Sequence, residues 1–591
     1  MTDYNAPLKD MSFTLHELAG LSEVLGLPAF ADIDVETADQ VLEEAGRFAG
    51  DVLAPLNVPG DLAGCRVENQ AVVVADGFDN AYRQFVDNGW QSLSATAEFG
   101  GMGLPEVVGA AAIEMWQSAN MAFSLCPLLT SGAIVALEAH GGDELKNRFL
   151  PGLINGEISG TMNLTEPQAG SDLAAVTTSA VPAGDHFLIS GTKIFITWGD
   201  HPMAGNIVHL VLARLPDAPD GIRGISMFAV PKFIINDDGS RGERNDVYPA
   251  SVEHKLGIHA SPTCVMTFGD NDGAIGYLVG EPNRGMSCMF TMMNHARLNV
   301  GIQGVALCER AYQLARSFAL ERVQGGAPGK KGRVTIINHA DVRRMLMIMK
   351  SQTEAMRAAA YVTAAQLDLG HHGTDESQRE TANSRMALLT PIIKGWLTEV
   401  AQEVTSLGVQ IHGGMGFVEE TGAAQHMRDA RILPIYEGTT GIQANDLVGR
   451  KILGDEGRAM HALIADMRAT ASLLGDGGDL QDMQQALVAA IDELEAAVNW
   501  LIAEAPGDPH VPGAAAVNLL MLAGTVLGGW QMGRSALAVT QASSKTDAKF
   551  RDAKLHTARF YIKNILPRST SYLSAATSGS ESVMALAEEL F

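Results

Sequence analysis

Residues 431–443 read RILPIYEGTTGIQ, a run in which one acidic side chain, Glu437, separates an apolar segment from a Gly-Thr-Thr turn. The apolar residues before it exclude water, and Gly438 lets the chain turn sharply so that backbone N–H groups point at a ligand. A carboxylate in dry surroundings has a pKa raised toward neutrality, which suits a general base. For an isolated Glu-Gly-Thr sequence, the alternative is a carboxylate that interacts with a helix dipole.

A second motif lies upstream, where residues 162–172 read MNLTEPQAGSD. Gly170 and Ser171 form a loop whose backbone can approach a ligand closely, and a Ser hydroxyl with N–H groups suits a pyrophosphate oxygen. Thr165 offers a hydroxyl and backbone groups to the edge of a planar ring. The alternative for this motif is an ordinary turn between a helix and a sheet.

Two further motifs are short. Residues 195–197 read FIT at a predicted strand end, where side chains can stack on a ring or, alternatively, pack a core. Residues 410–417 read QIHGGMGF and predict a Gly-rich turn. No Gly-x-Gly-x-x-Gly follows a strand and opens a helix, so a Rossmann dinucleotide site is not indicated.

Together the four motifs resemble the acyl-CoA dehydrogenase family, over about residues 20–455. The resemblance implies FAD-dependent α,β-dehydrogenation of an acyl-CoA thioester to a trans-2-enoyl-CoA. It makes Glu437 the base that takes the α-proton, with the Glu437 N–H polarising the thioester carbonyl as an oxyanion hole does. A medium- or long-chain fatty acyl-CoA dehydrogenase, an acyl-CoA oxidase and a non-catalytic scaffold member are the alternatives.

The resemblance also assigns binding residues. It implies flavin contacts from Met162, Leu164, Thr165, Gly170, Ser171, Phe195, Ile196, Thr197, Arg322, Gln410, Gly413, Gly414, Thr439 and Gly441. It implies substrate contacts from Ser171, Asn294, Arg297 and Gly438. For Arg322 the alternative is a surface charge, and for Arg297 an ion pair between helices.

The same resemblance implies partners. The fork of Arg322 would hold flavin pyrophosphate oxygens of a neighbouring subunit, which implies an oligomer, a homodimer or a tetramer. Electron-transfer flavoprotein is the expected electron acceptor. The family usually has Trp where this chain has Phe195, and Asn-Gly where it has Trp198-Gly199. Phe195 can still cover a flavin face, and the departure from the family pattern bears on how the flavin is shielded from oxygen.

The hydrophobic pattern predicts a mainly α fold with a central β domain. We expect an N-terminal helical domain over 1–157, a β-barrel-like domain over 158–285 and a helical bundle over 286–455, followed by an extra C-terminal helical domain over 456–591. Within the β domain, residues 187–197 predict two strands joined by a tight turn at Ser190-Gly191.

Composition excludes other classes. The net charge of −26 opposes binding to nucleic acid or to anionic lipid. Five scattered cysteines without a C-x-x-C pair predict no metal site and no disulfide scaffold. The N-terminus carries no basic region followed by an apolar stretch, and no run approaches the roughly 18 apolar residues of a membrane span, so a cytoplasmic protein is expected.

Overall fold

The structure is a computed structural model that describes residues 4–236, 238–475, 480–541 and 546–591. In these ranges the α-helices are α1 Leu8–Phe13, α2 Leu21–Leu25, α3 Val35–Phe48, α4 Ala54–Ala63, α5 Phe78–Asp87, α6 Glu106–Ala119, α7 Met121–His140, α8 Asp143–Ile154, α9 Gly285–Glu321, α10 Ala340–His372, α11 Glu376–His412, α12 Ala423–Ala430, α13 Thr440–Asn445, α14 Arg458–Gly475, α15 Gln481–Glu504, α16 Val511–Thr540, α17 Ala548–Asn564, α18 Arg568–Ala576 and α19 Glu581–Met584.

The strands of the same ranges confirm a central β region. They are β1 Arg66–Glu68, β2 Ala71–Val73, β3 Ile158–Asn163, β4 Ser179–Ala183, β5 His186–Thr197, β6 Asn206–Arg214, β7 Ile225–Pro231, β8 Phe233–Ile235, β9 Arg241–Arg244, β10 Val247–Val252, β11 Thr263–Phe268 and β12 Ala274–Val279. The chain divides into two compact units. The first comprises Ala45–Leu104 and Met115–Asn299, and the second comprises Pro105–Glu114, Val300–Phe591 and the N-terminal stretch up to Glu44.

The first unit is built on an eight-stranded sheet. Seven strands are hydrogen-bonded in the order β10-β11-β5-β12-β7-β6-β3, and β4 pairs with both β5 and β6. Because β5, β12, β7, β6 and β4 each pair with the next, and β4 pairs again with β5, these five strands close on themselves. The predicted β-barrel-like region is therefore present.

Both faces of the central strands are buried. Alternate residues of β6 and β7 belong to different apolar clusters, as the two-residue period of a strand requires. One cluster contains Val211, Ala213, Phe228 and Val230. The other contains Val208, Leu210, Leu212, Met227 and Ala229, and it includes residues of α7, α8 and the start of α9. Burial on both faces explains why these strands are continuous apolar runs.

The prediction of two strands around Ser190-Gly191 is wrong, because residues 186–197 form the single long strand β5. Its first half pairs with β4 and β12, and its second half, from Gly191 onward, pairs with β11. The strand thus changes partners at the Ser-Gly pair, which read as a turn in the sequence.

The N-terminal segment is not entirely helical, as it was predicted to be. β1 and β2 form an antiparallel hairpin, and Asn69 and Gln70 at its tip both have left-handed φ values, +51° and +60°. Two such residues are the pattern of a tight hairpin turn, which normally contains glycine. Because neither residue is glycine, the sequence carried no strong signal for this hairpin.

The second unit is a helical assembly centred on α16. This helix contacts the long helices α10 and α11 of the bundle and also α13, α14, α15, α17 and α18. Its glycines allow close approach: a Cβ added to Gly524 would lie 2.1 Å from Trp396 Cγ, and one added to Gly528 would lie 2.3 Å from the Tyr561 hydroxyl. The C-terminal helices therefore pack directly on the bundle helices within this unit.

Among the residues that the structure describes, two helices are long and apolar enough to cross a membrane by length and composition alone, contrary to the expectation that no run would be. These helices are α7 and α16. In the most apolar 18-residue stretch of each helix, 83% of α7 and 67% of α16 is buried inside the protein. Burial of this extent is what core helices of a folded domain show, and it accounts for their apolar sequences.

Candidate active site

The segment 431–439 connects α12 to α13 and carries Glu437 in an unusual backbone conformation. Glu437 and Gly438 have φ values of +55° and +88°. Left-handed φ values are ordinary for glycine and disfavoured for glutamate. The side chain of Glu437 is partly exposed, whereas Leu433 and Pro434 are buried.

Lys394 of α11 lies beneath this segment. Its fully buried side chain donates to the carbonyl oxygens of Leu433, at 2.8 Å, and Gly438, at 2.7 Å. The carbonyl of Glu437 itself accepts from Nε2 of Gln443 at 3.2 Å. Side chains of α11 and α13 therefore hold carbonyls on both sides of Glu437 and at Glu437 itself.

Tyr436 points its hydroxyl to the side chain of Gln303, to whose Oε1 it donates a hydrogen bond. Burial raises the pKa of Tyr436 far above its usual range, and the neighbouring Glu437 carboxyl adds to that shift. Tyr436 therefore stays protonated and acts as a hydrogen-bond donor that anchors the segment to α9.

Thr439 is the N-cap of α13, where its hydroxyl accepts from the N–H of Ile442 at 3.2 Å. The Thr439 hydroxyl thereby satisfies one of the first N–H groups of the helix. Thr440 donates through its hydroxyl to Glu399 at 2.6 Å and through its N–H to the Pro434 carbonyl at 3.0 Å. Gly441 follows in the first turn of α13 and is partly exposed.

In the first unit, a buried ion pair fixes the 162–172 segment to β5. The carboxylate of Glu166 and Nζ of Lys193 are 2.8 Å apart and almost fully buried. Lys193 also donates to the Leu164 carbonyl at 3.0 Å, and the N–H of Ile194 donates to the Thr165 carbonyl at 2.9 Å. The segment thus runs beside the strand end that carries Phe195.

Glu166 accepts four more hydrogen bonds from two threonines. They come from the N–H and hydroxyl of Thr177, both at 2.8 Å, and of Thr178, at 3.0 and 2.6 Å. Burial opposes ionisation, but Lys193 and these donors hold the pKa of Glu166 at about 2. Burial lowers the pKa of Lys193 to about 8, and Glu166 opposes that shift.

Phe195, Ile196 and Thr197 end β5, as predicted. Phe195 has a φ of +60° and is 58% exposed, Ile196 is buried, and Thr197 is partly exposed. A large aromatic ring held outward by a left-handed backbone can cover a planar ligand. Ile196 belongs to the barrel's apolar cluster, so its side chain packs the core, which was the alternative for this residue.

The other predicted flavin residues of this unit differ in exposure. Gly170 and Ser171 are exposed, Met162 and Thr165 are partly exposed, and Leu164 is buried. A Cβ added to Gly170 would meet no atom within 4 Å, so its backbone is open to a ligand.

Asn294 and Arg297 lie one turn apart on α9 and touch each other. Nη1 of Arg297 donates to Oδ1 of Asn294 at 3.2 Å, and the guanidinium lies 5.9 Å from the ring centre of Phe290. Asn294 is exposed and Arg297 is buried.

In the second unit, Arg322 directly follows α9 and is exposed. Gln410 was predicted to lie in a Gly-rich turn, but it lies in the last turn of α11, which continues to His412. The turn begins at Gly413, whose φ is +63°. The ring of His412 stacks on Phe318 with centres 4.5 Å apart, which brings the ends of α9 and α11 together. Added Cβ atoms at Gly413 and Gly414 would meet nothing within 4 Å, so this backbone is open.

In the first unit the 162–171 segment runs beside the strand end that carries Phe195, and Asn294 and Arg297 lie together on α9. In the second unit Glu437, Gly438 and Thr439 share one segment, and the stacking of Phe318 on His412 brings together the helix ends that precede Arg322 and the Gly-rich turn. Sequence reasoning did not single out Lys193 and Lys394, whose partners lie 27 to 44 residues away along the chain. It also did not single out Gln443, whose partner is the Glu437 carbonyl only six residues away. Over the described part of the chain, no group of three or more His, Cys, Asp or Glu side chains could hold a metal ion.

Four sequence profiles match the chain in order. They are described as the acyl-CoA dehydrogenase N-terminal domain, over residues 36–157, and its middle domain, over 161–271. The acyl-CoA dehydrogenase C-terminal domain follows over 283–453, and an acetyl-CoA dehydrogenase C-terminal-like domain over 463–587.

Known proteins are similar to this chain over nearly its whole length. A 3-methylmercaptopropionyl-CoA dehydrogenase of Ruegeria pomeroyi is 51% identical over 98% of this chain and 99% of its own. The structure of Caenorhabditis elegans ACDH-11 in complex with C11-CoA is 21% identical, with a TM-score of 0.79 over 96% of this chain and 92% of its own. An acyl-CoA dehydrogenase of Bacillus anthracis complexed with FAD is 19% identical, with a TM-score of 0.76 over 96% and 91%. At these identities the two structures bear on the fold alone.

The chain belongs to the acyl-CoA dehydrogenase family, a family of FAD-dependent oxidoreductases. The predicted fold class, including the extra C-terminal helical region, is confirmed, and so is the prediction of an acyl-CoA dehydrogenase.

Proposed function

We propose that this enzyme converts 3-methylthiopropanoyl-CoA (3-methylmercaptopropionyl-CoA) to 3-methylthioacryloyl-CoA, a step of dimethylsulfoniopropionate catabolism. The 51% identity to the Ruegeria pomeroyi enzyme over nearly the whole of both chains supports this substrate. Medium- and long-chain fatty acyl-CoA thioesters are the alternative substrates, since the same α,β-dehydrogenation applies to them.

Glu437 is the proposed base, and its backbone conformation carries the proposal. A glutamate held at a φ of +55° by partners on two helices is placed at the cost of local strain, as functional residues often are. A positioned carboxylate can take the α-proton of a thioester, and the N–H of Glu437 can polarise the thioester carbonyl. Gly438, a further proposed substrate contact, has the left-handed φ of the turn and lies against Gln443, whose Nε2 a Cβ would meet at 2.6 Å. Ser171, Asn294 and Arg297 are the further proposed substrate contacts.

FAD, when bound, accepts the hydride that leaves the substrate Cβ. Residues of each unit fit parts of such a ligand. In the first unit Phe195 offers an exposed ring and Gly170 offers open backbone, and in the second unit Gly413 and Gly414 offer open backbone. The proposed flavin contacts are these four with Met162, Leu164, Thr165, Ser171, Ile196, Thr197, Arg322, Gln410, Thr439 and Gly441, of which Leu164 and Ile196 would contribute backbone groups.

Electron-transfer flavoprotein is the proposed electron acceptor, and an acyl-CoA oxidase, which passes electrons to oxygen, is the alternative. We propose a cytoplasmic homodimer, with a tetramer as the alternative, in which Arg322 binds the partner's flavin. The domain division at 157, 285 and 455 is part of the same proposal. A non-catalytic scaffold role would not require the strained Glu437.

A visible-spectrum titration under anaerobic conditions tests the substrate. Purified flavin-loaded enzyme is mixed with 3-methylthiopropanoyl-CoA, butanoyl-CoA or octanoyl-CoA, and the flavin band is followed. We expect bleaching, most readily with the thioether substrate, together with a product two mass units lighter. Faster and tighter bleaching by octanoyl-CoA would replace the proposed substrate with a fatty acyl-CoA.

A reoxidation measurement separates the acceptors. Bleached enzyme is exposed to air or to electron-transfer flavoprotein. Rapid return of the band in air with formation of peroxide would indicate an oxidase. Protein that binds FAD but is bleached by none of the three thioesters would contradict the proposed reaction.

A further inference from the structure

The segment that carries Glu437 rests on a buried ammonium group. Lys394 is fully buried on α11 and donates to the carbonyl oxygens of Leu433 and Gly438 at 2.8 and 2.7 Å. One carbonyl lies four residues before Glu437 and the other directly after it. A single charged atom therefore binds both ends of the turn that presents the base.

This arrangement constrains the backbone. An ammonium has three donors and strong attraction for carbonyl oxygens, so two carbonyls directed at it must converge on one point. The chain between these two carbonyls passes through Glu437, and Glu437 and Gly438 both have left-handed φ values. For glutamate this conformation is disfavoured, and the contacts of Lys394 with the flanking carbonyls stabilise it.

A second donor restrains the same turn. Nε2 of Gln443, on α13, donates to the carbonyl of Glu437 at 3.2 Å. The side chain of Gln443 is itself buried, whereas Glu437 is partly exposed. Carbonyls at 433, 437 and 438 are therefore all fixed by side chains whose helices lie outside the turn.

We propose that Lys394 is a positioning residue for the dehydrogenation: it sets the conformation of Glu437 and thereby the aim of its carboxylate at the substrate α-proton. This inference rests on the proposed role of Glu437. Burying an ammonium is costly, and a fixed base geometry accounts for its place in the fold. Gln443 assists through the Glu437 carbonyl.

Replacing Lys394 with Met keeps the length and removes all three donors. In anaerobic rapid mixing of the flavin-loaded enzyme with the acyl-CoA that bleaches it, we expect flavin reduction to slow by roughly 100-fold, the loss that a misplacement of about 1 Å causes. The substrate concentration giving half-maximal reduction should stay within about threefold of the wild-type value. With substrate deuterated at Cα, the isotope effect on reduction should rise, because proton abstraction has become slower.

Lys554→Met is the matched control. Lys554 is also a buried lysine of the second unit, where it binds Asp10 and Glu354 away from the turn. Its loss should lower stability and leave the reduction rate per bound flavin unchanged. A Lys394→Met enzyme that behaves like this control, with wild-type rate and isotope effect per bound flavin, would overturn the proposal.

Gln443→Leu gives a second, milder test if Lys394→Met does not fold. We expect a reduction rate about tenfold lower with a raised isotope effect, and a wild-type rate would contradict positioning through these carbonyls.

Glu437→Gln distinguishes a failure of the proposed base from a failure of the proposed positioning residue. If it still reduces flavin at the wild-type rate, the proposed base is wrong; if it does not while Lys394→Met does, only the positioning role fails.

Discussion

Lys193→Met should loosen the segment 162–172 and destabilise the first unit. The substitution leaves the buried carboxylate of Glu166 without its counter-ion, and removing one partner of a buried pair costs about 3–5 kcal/mol. The hydrogen bonds from Thr177 and Thr178 remain, so we expect the lower end, about 3 kcal/mol, or a factor of roughly 100 in the folding equilibrium.

The effect should extend to the flavin. Lys193 also holds the Leu164 carbonyl, so the proposed flavin-contact segment loses a restraint, and we expect FAD affinity to fall about tenfold, equal to about 1.4 kcal/mol. Urea unfolding followed by circular dichroism measures the first effect and fluorescence titration of apoprotein with FAD the second. Glu166→Gln and the double variant complete a mutant cycle.

A clear result would refute this reasoning. If Lys193→Met and Glu166→Gln each changed the free energy of unfolding by less than about 1 kcal/mol and their effects were additive, the pair would not stabilise the segment. Unchanged FAD affinity with strong destabilisation would separate the ion pair from the flavin site.

Three further predictions concern other parts of the chain. Asp368 is buried and accepts hydrogen bonds from two backbone N–H groups at the start of α6, and burial raises its pKa to about 8. The free energy of unfolding should therefore fall as pH rises from about 4 to about 8 and then level off. Thermal unfolding measured across this pH range should show that slope in the wild type and not in Asp368→Asn. Gly524→Ala should cost about 1–3 kcal/mol, because its Cβ would collide with Trp396. Phe195→Gly should relieve about 1 kcal/mol of left-handed strain yet weaken FAD binding, as measured by unfolding of apoprotein and by flavin titration.

Each of these has a control or a contrary outcome. For Gly524, the matched control is Gly513→Ala in the same helix, where a Cβ meets nothing and should be neutral or stabilising by up to about 1 kcal/mol. An unchanged pH slope in Asp368→Asn would assign the slope to other groups. Undiminished FAD affinity in Phe195→Gly would remove Phe195 from the proposed flavin contacts.

The sequence predicted the parts of this fold that local signals determine. The long helices α9, α10 and α11 lie in the range that was predicted to be a helical bundle, and β5 ends at residues 195–197, where a strand end was predicted. The hairpin β1–β2 was not predicted because its turn lacks glycine. The strand β5 was predicted as two strands because its Ser190-Gly191 pair is typical of a turn, whereas in the structure the strand continues and changes its pairing partners there. Local sequence does not distinguish a turn from such a change of partners.

The candidate site shows the same division. Glu437 and the Gly-rich segments were found through contiguous motifs. Lys394 was not, because a lysine that binds carbonyls 39 and 44 residues away leaves no local pattern. Gln443 lies in the motif 431–443, but nothing in the motif shows that its side chain donates to the Glu437 carbonyl. Glu166 stood inside a recognised motif, but its role became visible only with Lys193 beside it.

The rate of flavin reduction in Glu437→Gln tests the central claim most directly. The matched control is Glu456→Gln, which changes an exposed glutamate of similar left-handed conformation, with a φ of +57°. We predict that reduction by 3-methylthiopropanoyl-CoA under anaerobic conditions slows by about 10³-fold or more in Glu437→Gln, within the range for loss of a general base, and is unchanged in the control. Reduction within about threefold of the wild-type rate in Glu437→Gln, with FAD and substrate bound, would contradict the assignment of Glu437 as the base.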